Sequence, residues 1–369
     1  MRLKGFPIRL AVTAITLSLA LAACASSSNT NAAPKDRASA QVSKVFCLLE
    51  KKNSQDTRAA VLSKAIGDLL AKPENKGAVK SVNISVDKAE QIAGKLRENS
   101  CANVLSLEPN FSGEVLKVAK NHPDINFAVM AAEGQQKLAN VRGIDFDLRQ
   151  PAFLAGYAAA AVTKSGQIGA VSSVNNADAN QGIDNSVSEN AAKTWANAFR
   201  LGAEYYNQFK GSGVKFSAWD NNVGGPLQVE SARLHEQLLK LAEQKIDVIL
   251  VIAPIGESAS LEGLAGKDAL AIWNGQDAAA NSVQVKSSVF TSTVIDASGC
   301  AKELFDQAKA GWIASKDYVG TLKNSGVKLA GFGDYAPLIS DSLSAELAGI
   351  RSQIDNGKID IAKLAAHQG

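Results

Sequence analysis

The stretch LQVESARLHEQLLKLAEQKIDVILVIA, residues 227–253, carries two periodicities back to back. From Leu227 to Lys245 apolar residues recur every three or four positions, the spacing of one helix face; from Val248 to Ala253 they run unbroken, as in a strand buried on both faces. A helix leading straight into such a strand is the repeat unit of a parallel sheet, because parallel neighbours need a crossover and a helix supplies it. The same alternation extends both ways. Strands are predicted at KVFCLLE (44–50), VKSVNISV (79–86), ANVLSLE (102–108), INFAVMA (125–131), QIGAVSS (167–173), VKFSAWD (214–220), DVILVIA (247–253), ALAIWN (269–274), SVFTST (288–293) and VKLAGF (327–332). Helical patterns lie between them, among them SGEVLKVAKNHP, AFLAGYAAAAVTKSG, AKTWANAFRLGAEYYNQ and SGCAKELFDQAKAGWIAS. So many strands exceed what one open sheet of ordinary size holds, so the fold class is α/β with two lobes, each a parallel sheet covered on both faces.

The amino-terminal region reads differently. Arg2, Lys4 and Arg9 precede an apolar run from Leu10 to Ala23, the order of an export signal and shorter than the roughly 20 residues a membrane span needs. It ends in LAAC, Leu21 to Cys24, which resembles the lipobox of bacterial lipoproteins: small residues before the cut and a thiol at it to receive lipid. Residues 1–23 are therefore expected to be a lipoprotein signal peptide, Cys24 the lipid attachment, and 24–40, rich in Ser, Asn and Ala, a flexible tether. The expected location is the extracytoplasmic face of the cell membrane, held there by lipid.

Of 39 Lys+Arg against 36 Asp+Glu, the three basic residues of the signal account for the whole excess. The mature chain is formally neutral, which gives no electrostatic case for nucleic acid as a partner. Cys47, Cys101 and Cys300 are widely spaced and suit no zinc site. One pair can oxidise outside the membrane and leave an odd thiol, but the reading favoured is three small buried hydrophobes. His122, His235 and His367 are isolated, so neither a metal nor any other cofactor is expected.

In open parallel sheets a ligand lies beyond the carboxyl ends of the strands. The segments there are EKKNSQD, EPNF, WDNN, APIGES and WNGQD, rich in Asp, Asn, Gln and aromatic residues, with Gly256 and Gly275 permitting close backbone approach. Each alone is ordinary turn chemistry. Together, polar groups that donate and accept beside a ring suit a hydroxylated planar ligand better than a phosphate.

The segments SLEPNFSGEVLKVAKNHPDINFAV, NVRGIDFDLRQPAFLAGYAAAAVTKSGQIGAVSS and AFRLGAEYYN, followed by GFGDYAPLISDSLSAELAGIRSQIDNGKI, resemble the basic membrane protein family of ABC-transporter substrate-binding lipoproteins, also called purine nucleoside receptor A-like, over residues 42 to 360. The resemblance implies a type I periplasmic-binding-protein fold, two Rossmann-like lobes joined by three crossovers that close on a nucleoside delivered to permease subunits. It suggests lobe 1 as 41–147 plus 275–322 and lobe 2 as 148–274 plus 323–369. Where the family has an Asp and a Ser-Phe-Asn run opening the first helix, this chain has Asp56 and then TRAA. Phe111 takes the place of the aromatic after the third strand and Gly256 that of a glycine loop. Ile272 to Asp277 align with the run whose first Asp grips ribose, putting Asn274 there. A lysine common in the family is replaced near Ile295, and residues 174–190 form an insertion.

The ligand set expected is Phe111 and Trp219 stacking on a ring, with Asp56, Asn274 and Asp277 on its polar edges and Gly256 beside it. Two other classes compete with a transporter's nucleoside-binding protein. One is a binding-fold lipoprotein of diverged ligand acting as a sensor or in adhesion, for which the TRAA loop and the insertion speak. The other is an enzyme, for which no nucleophile elbow, phosphate loop or paired catalytic motif is present; GES at 256–258 lacks the elbow's other glycine. No catalytic residue is expected.

Overall fold

The computed structural model describes residues 45–52, 54, 56–130, 138–174, 189–310 and 316–366. The signal, Cys24, the tether and most of the 174–190 insertion lie outside them. Residues 42–369 form one compact unit by themselves.

The apolar runs form two sheets. In the first, β1 (Val45–Lys51), β2 (Lys80–Val86), β3 (Asn103–Ser106), β4 (Asn126–Met130) and β5 (Val141–Phe146) are joined by a late strand, β12 (Tyr318–Gly320), in the order β12-β5-β4-β3-β1-β2, parallel throughout. The second holds β6 (Gln167–Val174), β7 (Lys215–Ala218), β8 (Leu227–Glu230), β9 (Val248–Ile252), β10 (Leu270–Gly275), β11 (Val289–Ile295) and β13 (Val327–Leu329), in the order β13-β11-β10-β9-β6-β7 with β8 also on β6. It is parallel except for β13, which runs antiparallel to β11. The chain passes between sheets three times, after β5, β11 and β12. The expected boundaries gave 275–322 to lobe 1; β11 pairs with β10 in the second sheet, so the chain leaves that sheet only after Ile295.

Helices α1 (Thr57–Ala71), α2 (Ile92–Glu98) and α3 (Ser112–Asn121) follow strands of the first sheet, and α5 (Glu189–Lys210) and α6 (Leu234–Glu243) follow strands of the second. Between the sheets comes α4 (Arg149–Val162), and after β10 the short α7 (Ala278–Asn281), α8 (Ser298–Ala310), α9 (Asp341–Asp355) and α10 (Ile361–Ala366). Strand alternation decides which core each residue joins. Phe46 and Leu48 pack with Leu62 and Ile66 of α1, while Val45, Cys47 and Leu49 pack with Ile92 and Leu96 of α2 and Val115 of α3.

Three strands escaped the sequence patterns. β5 carries Arg142, Gly143 and Asp145, which break an apolar run; Arg142 is nonetheless buried and pairs with Glu303 of α8 at 2.9 Å. β12 is too short to show a pattern. The opening residues of the stretch read as helix from Leu227 are β8, and α6 begins only at Leu234. The cysteine reading is also corrected: Cys47 and Cys101 form a disulfide across 54 residues, their Cα atoms 5.8 Å apart, and Cys300 is a buried free thiol. β1 and β3 are direct neighbours, with Phe46 opposite Asn103, which brings those two cysteines together as sequence spacing could not reveal.

The AFLAGYAAA helix is α4, buried on every side from Pro151 to Ala160. Its glycine faces another helix: a Cβ at Gly156 would collide with the carbonyl oxygen of Phe199 on α5, and one at Gly202 of α5 with that of Phe153. The two helices cross with their backbones in contact.

Candidate functional site

The loop after β1 places Asp56 as the N-cap of α1. Its Oδ1 accepts from the backbone N–H of Arg58 (2.8 Å) and Ala59 (3.1 Å), satisfying donors a helix start leaves open. Both carboxylate oxygens also take the Arg58 guanidinium, Nη2 to Oδ2 at 2.8 Å and Nε to Oδ1 at 3.3 Å. Burial pulls the Arg58 pKa down, but Asp56, with Asp145 and Glu108 nearby, more than offsets this and the guanidinium ends above its ordinary value. Arg58 is therefore a fixed cation at the mouth of the lobe 1 strands.

Across from it, β10 ends in Asn274 and Gly275. Asn274 is buried, and its Oδ1 accepts the Thr293 hydroxyl at 2.6 Å. With the carbonyl engaged, the amide nitrogen is the group it offers a ligand. Gly275 adopts φ +98°, which an L side chain resists, and comes so close to α1 that an added Cβ would lie 2.8 Å from Thr57 Cγ2. Trp195 of α5, Leu148, Ala253 after β9 and Ile295 at the end of β11 complete an interlobe pocket with Asp56, Thr57, Arg58, Asn274 and Gly275. The void between them is about 10 Å³, room for no more than a water.

The structure thus unites Asp56 and Asn274 in one pocket, and places the other four ligand expectations elsewhere. Phe111 closes a 3-10 turn, Pro109–Phe111, that swings its ring into the lobe 1 core with Cys47, Val104 and Val115, where it is 7% exposed and offers no stacking face. Trp219, just past β7, stands edge-on to Phe216 at 5.3 Å with the Arg200 guanidinium 5.7 Å from its ring centre, outside the interlobe pocket. Gly256 lies exposed in the 3-10 segment Ile255–Leu261, and it is Ala253 of that loop that reaches the pocket. Asp277 caps α7, accepting from Ala280 N–H at 3.1 Å. The residues that sequence reasoning missed are Trp195, deep in a helix, and Arg58 with Leu148. The one signal for any of them was the replacement of the family's Phe-Asn by TRAA. The lysine position lost near Ile295 does fall in the pocket, as an apolar wall.

A second cavity, about 620 Å³, lies over the carboxyl ends of β1, β2 and β3, lined by Glu50, Lys51, Lys52, Ser54, Ser85 and Glu108 together with the outer face of α1. Burial pushes the Glu108 carboxyl above the usual range, helped by the charge of Asp56 and opposed by hydrogen bonds from the Ser54 hydroxyl and the Lys51 backbone N–H. No helix among the described residues is long and apolar enough to cross a membrane, and no group of three or more His, Cys, Asp or Glu among them is placed to hold a metal.

Two lobes of mainly parallel sheet, crossed three times by the chain and meeting at their strand ends, define the periplasmic-binding-protein class of solute-binding folds. Solved structures agree on that fold. An ABC transporter solute-binding protein from Aeropyrum pernix K1 aligns over 86% of this chain and 92% of its own with TM-score 0.65 at 14% identity. A transcriptional activator of the comK gene from Bacillus halodurans aligns over 85% and 98%, TM-score 0.61, 16% identity. An ABC transporter solute-binding protein from Conexibacter woesei DSM 14684 aligns over 86% and 97%, TM-score 0.54, 16% identity. No curated protein sequence matches this one. The family profile described as ABC transporter substrate-binding protein, PnrA-like, matches residues 70–364. The chain belongs to that family, whose members are extracytoplasmic solute-binding proteins of ABC transporters.

Proposed function

We propose that this protein is a lipid-anchored receptor that takes a nucleoside-like solute between its lobes and passes it to ABC permease subunits, with lipid on Cys24 as its hold on the membrane and no catalytic step of its own. The observation that carries the reading is the convergence of Asp56 from one lobe with Asn274 and Trp195 from the other on a single pocket. A carboxylate, an amide donor and an indole ring are the groups that a diol and a flat base need. The Cys47–Cys101 disulfide suits an oxidising, extracytoplasmic setting. Because the void is about 10 Å³, solute enters only when the lobes part, as in hinge closure around a ligand.

A second reading draws on the same pocket. Arg58 already occupies Asp56, in a position where the family carries Phe-Asn, which favours a diverged ligand and a sensing or adhesive role. Calorimetric titration of residues 35–369, unfolded and refolded to strip bound solute, with adenosine, guanosine, inosine, cytidine and uridine separates the two. Binding of one nucleoside at about −8 kcal/mol or better, micromolar Kd, is the result expected of the receptor. Silence across the panel from folded protein would hand the case to the diverged reading. In cells, Cys24→Ser should release the protein from the membrane fraction; retention there would remove the lipid anchor.

A further inference from the structure

Two charged side chains over the lobe 1 strand ends are buried without being paired to one another. Glu108 is 3% exposed and Lys51 8%. Oε1 of Glu108 is buried and has no hydrogen-bond partner. Lys51 lies near enough to Glu108 to act on its charge, yet forms no ion pair among the described residues. Buried ionisable groups are costly unless something satisfies them. Both line the cavity of about 620 Å³, large enough for a small solute, whereas the interlobe void beside it is not. The first turn of α1 borders both: Asp56 and Arg58 line the interlobe pocket, Ala59 and Ala60 the cavity. Other groups around the cavity are already engaged: Glu50 accepts the Ser63 hydroxyl at 2.7 Å, and Lys64 pairs with Asp68 at 2.6 Å. Lys52 and Ser85 also line the cavity but are exposed; among its buried charged groups that leaves one acceptor, Glu108 Oε1, and one donor, Lys51 Nζ.

We propose that this shelf is the part of the ligand site that reads a polar edge in which a hydrogen-bond donor stands beside an acceptor, with the donor on Glu108 Oε1 and the acceptor on Lys51 Nζ. The inference rests on the reading of the protein as a small-solute receptor and specifies which solutes it selects. A nucleobase edge has this chemistry, an exocyclic amine or ring N–H next to a carbonyl or ring nitrogen. So does an amino acid, with its ammonium beside its carboxylate. Bonds to charged partners are the stronger kind, and a site built around them discriminates steeply against analogues lacking the matching group.

The test is calorimetry on the full-length protein in detergent, wild type and the variants Glu108→Gln and Lys51→Met, each shown folded by circular dichroism. The probes are adenosine, guanosine, purine riboside (which presents acceptors but no N–H on that edge), glutamine and alanine. The expected result is that adenosine or guanosine binds, purine riboside binds at least tenfold more weakly, and each substitution weakens the nucleoside at least tenfold. If nucleoside binding is the same in both variants, the shelf has no part in recognition and this proposal is overturned, while the receptor reading stands. If no nucleoside binds but an amino acid does, and Glu108→Gln abolishes it, the shelf is upheld and the nucleoside reading falls. Binding by none of the probes overturns both.

Discussion

At the scale of the residue, the carboxyl-end rule led to Asp56 and Asn274, which line one pocket, because the end of a strand is fixed by where its apolar run stops. It could not say which way a side chain turns after the run. Phe111 and Asp56 both lie a short way past a predicted strand, yet one closes a 3-10 turn into the core and the other caps a helix facing the second lobe. Trp195 had no such marker, since it comes to the cleft from within a long helix. The buried Glu108 leads to a prediction about stability. Its folded-state pKa is raised above the ordinary 4.5, first by burial, so the folded state holds that proton more tightly than the unfolded chain. Stability therefore falls as pH rises from about that ordinary value through the raised one. Glu108→Gln removes this slope and leaves the unliganded protein at least as stable at neutral pH as wild type. Urea midpoints measured from pH 4.5 to 8 check it: wild type should lose ground to the variant as pH rises, and parallel curves would refute the assignment. A stability gain in a variant that binds less well is the trade expected when a binding group is kept at the fold's expense.

At the scale of the element, long apolar strands and amphipathic helices were legible because burial on both faces leaves a continuous apolar signature. Those that failed to show it had a local reason: a buried Arg142 in β5, a three-residue length in β12, and in β8 a pattern whose leucine and valine continue the spacing of the helix behind it. The α4 pattern was visible as an apolar helix, but its partner was not, because small residues suit a sheet or a helix equally. The structure gives that partner as α5, and glycine on each helix takes the other's carbonyl oxygen against its Cα. Gly156→Ala must push the two backbones apart in a fully buried crossing, and a loss of about 1–3 kcal/mol or more is expected. Gly67, in the middle of α1, has nothing within 4 Å of an added Cβ. There Gly67→Ala should stabilise by about 0.5–1 kcal/mol, the difference in helix propensity. Chemical denaturation of the pair reads both signs at once; equal effects from the two substitutions would mean the crossing is looser than described.

At the scale of the whole molecule, two lobes followed from the number of strands, while the boundary between them did not, because a crossover carries no composition signal of its own. β11 reads like any other buried strand, and only its pairing with β10 shows that the chain is still in the second sheet. The lobes come close where Gly275 faces Thr57, one at the end of a lobe 2 strand and the other at the start of a lobe 1 helix. On the hinge closure proposed above, that contact belongs to the shut form, so it lends itself to shifting the balance between open and closed forms. In Gly275→Ala two costs arise and can be separated. The positive φ penalises alanine in either form and lowers stability regardless of ligand, by about 1–2 kcal/mol. The approach of the new Cβ to Thr57 Cγ2, at 2.8 Å, acts in the closed form alone. A solute that binds by closing the lobes pays that second cost, so its affinity should fall by about 1–3 kcal/mol, roughly five- to 150-fold in Kd. Adding Thr57→Ser removes Cγ2 while keeping the hydroxyl, and most of the affinity should return although the loss of stability remains. Calorimetry with the tightest nucleoside and denaturation of the same three proteins read the two effects side by side. If the serine partner restores nothing, the lobes do not close through this contact, and Gly275 is needed only for its backbone conformation.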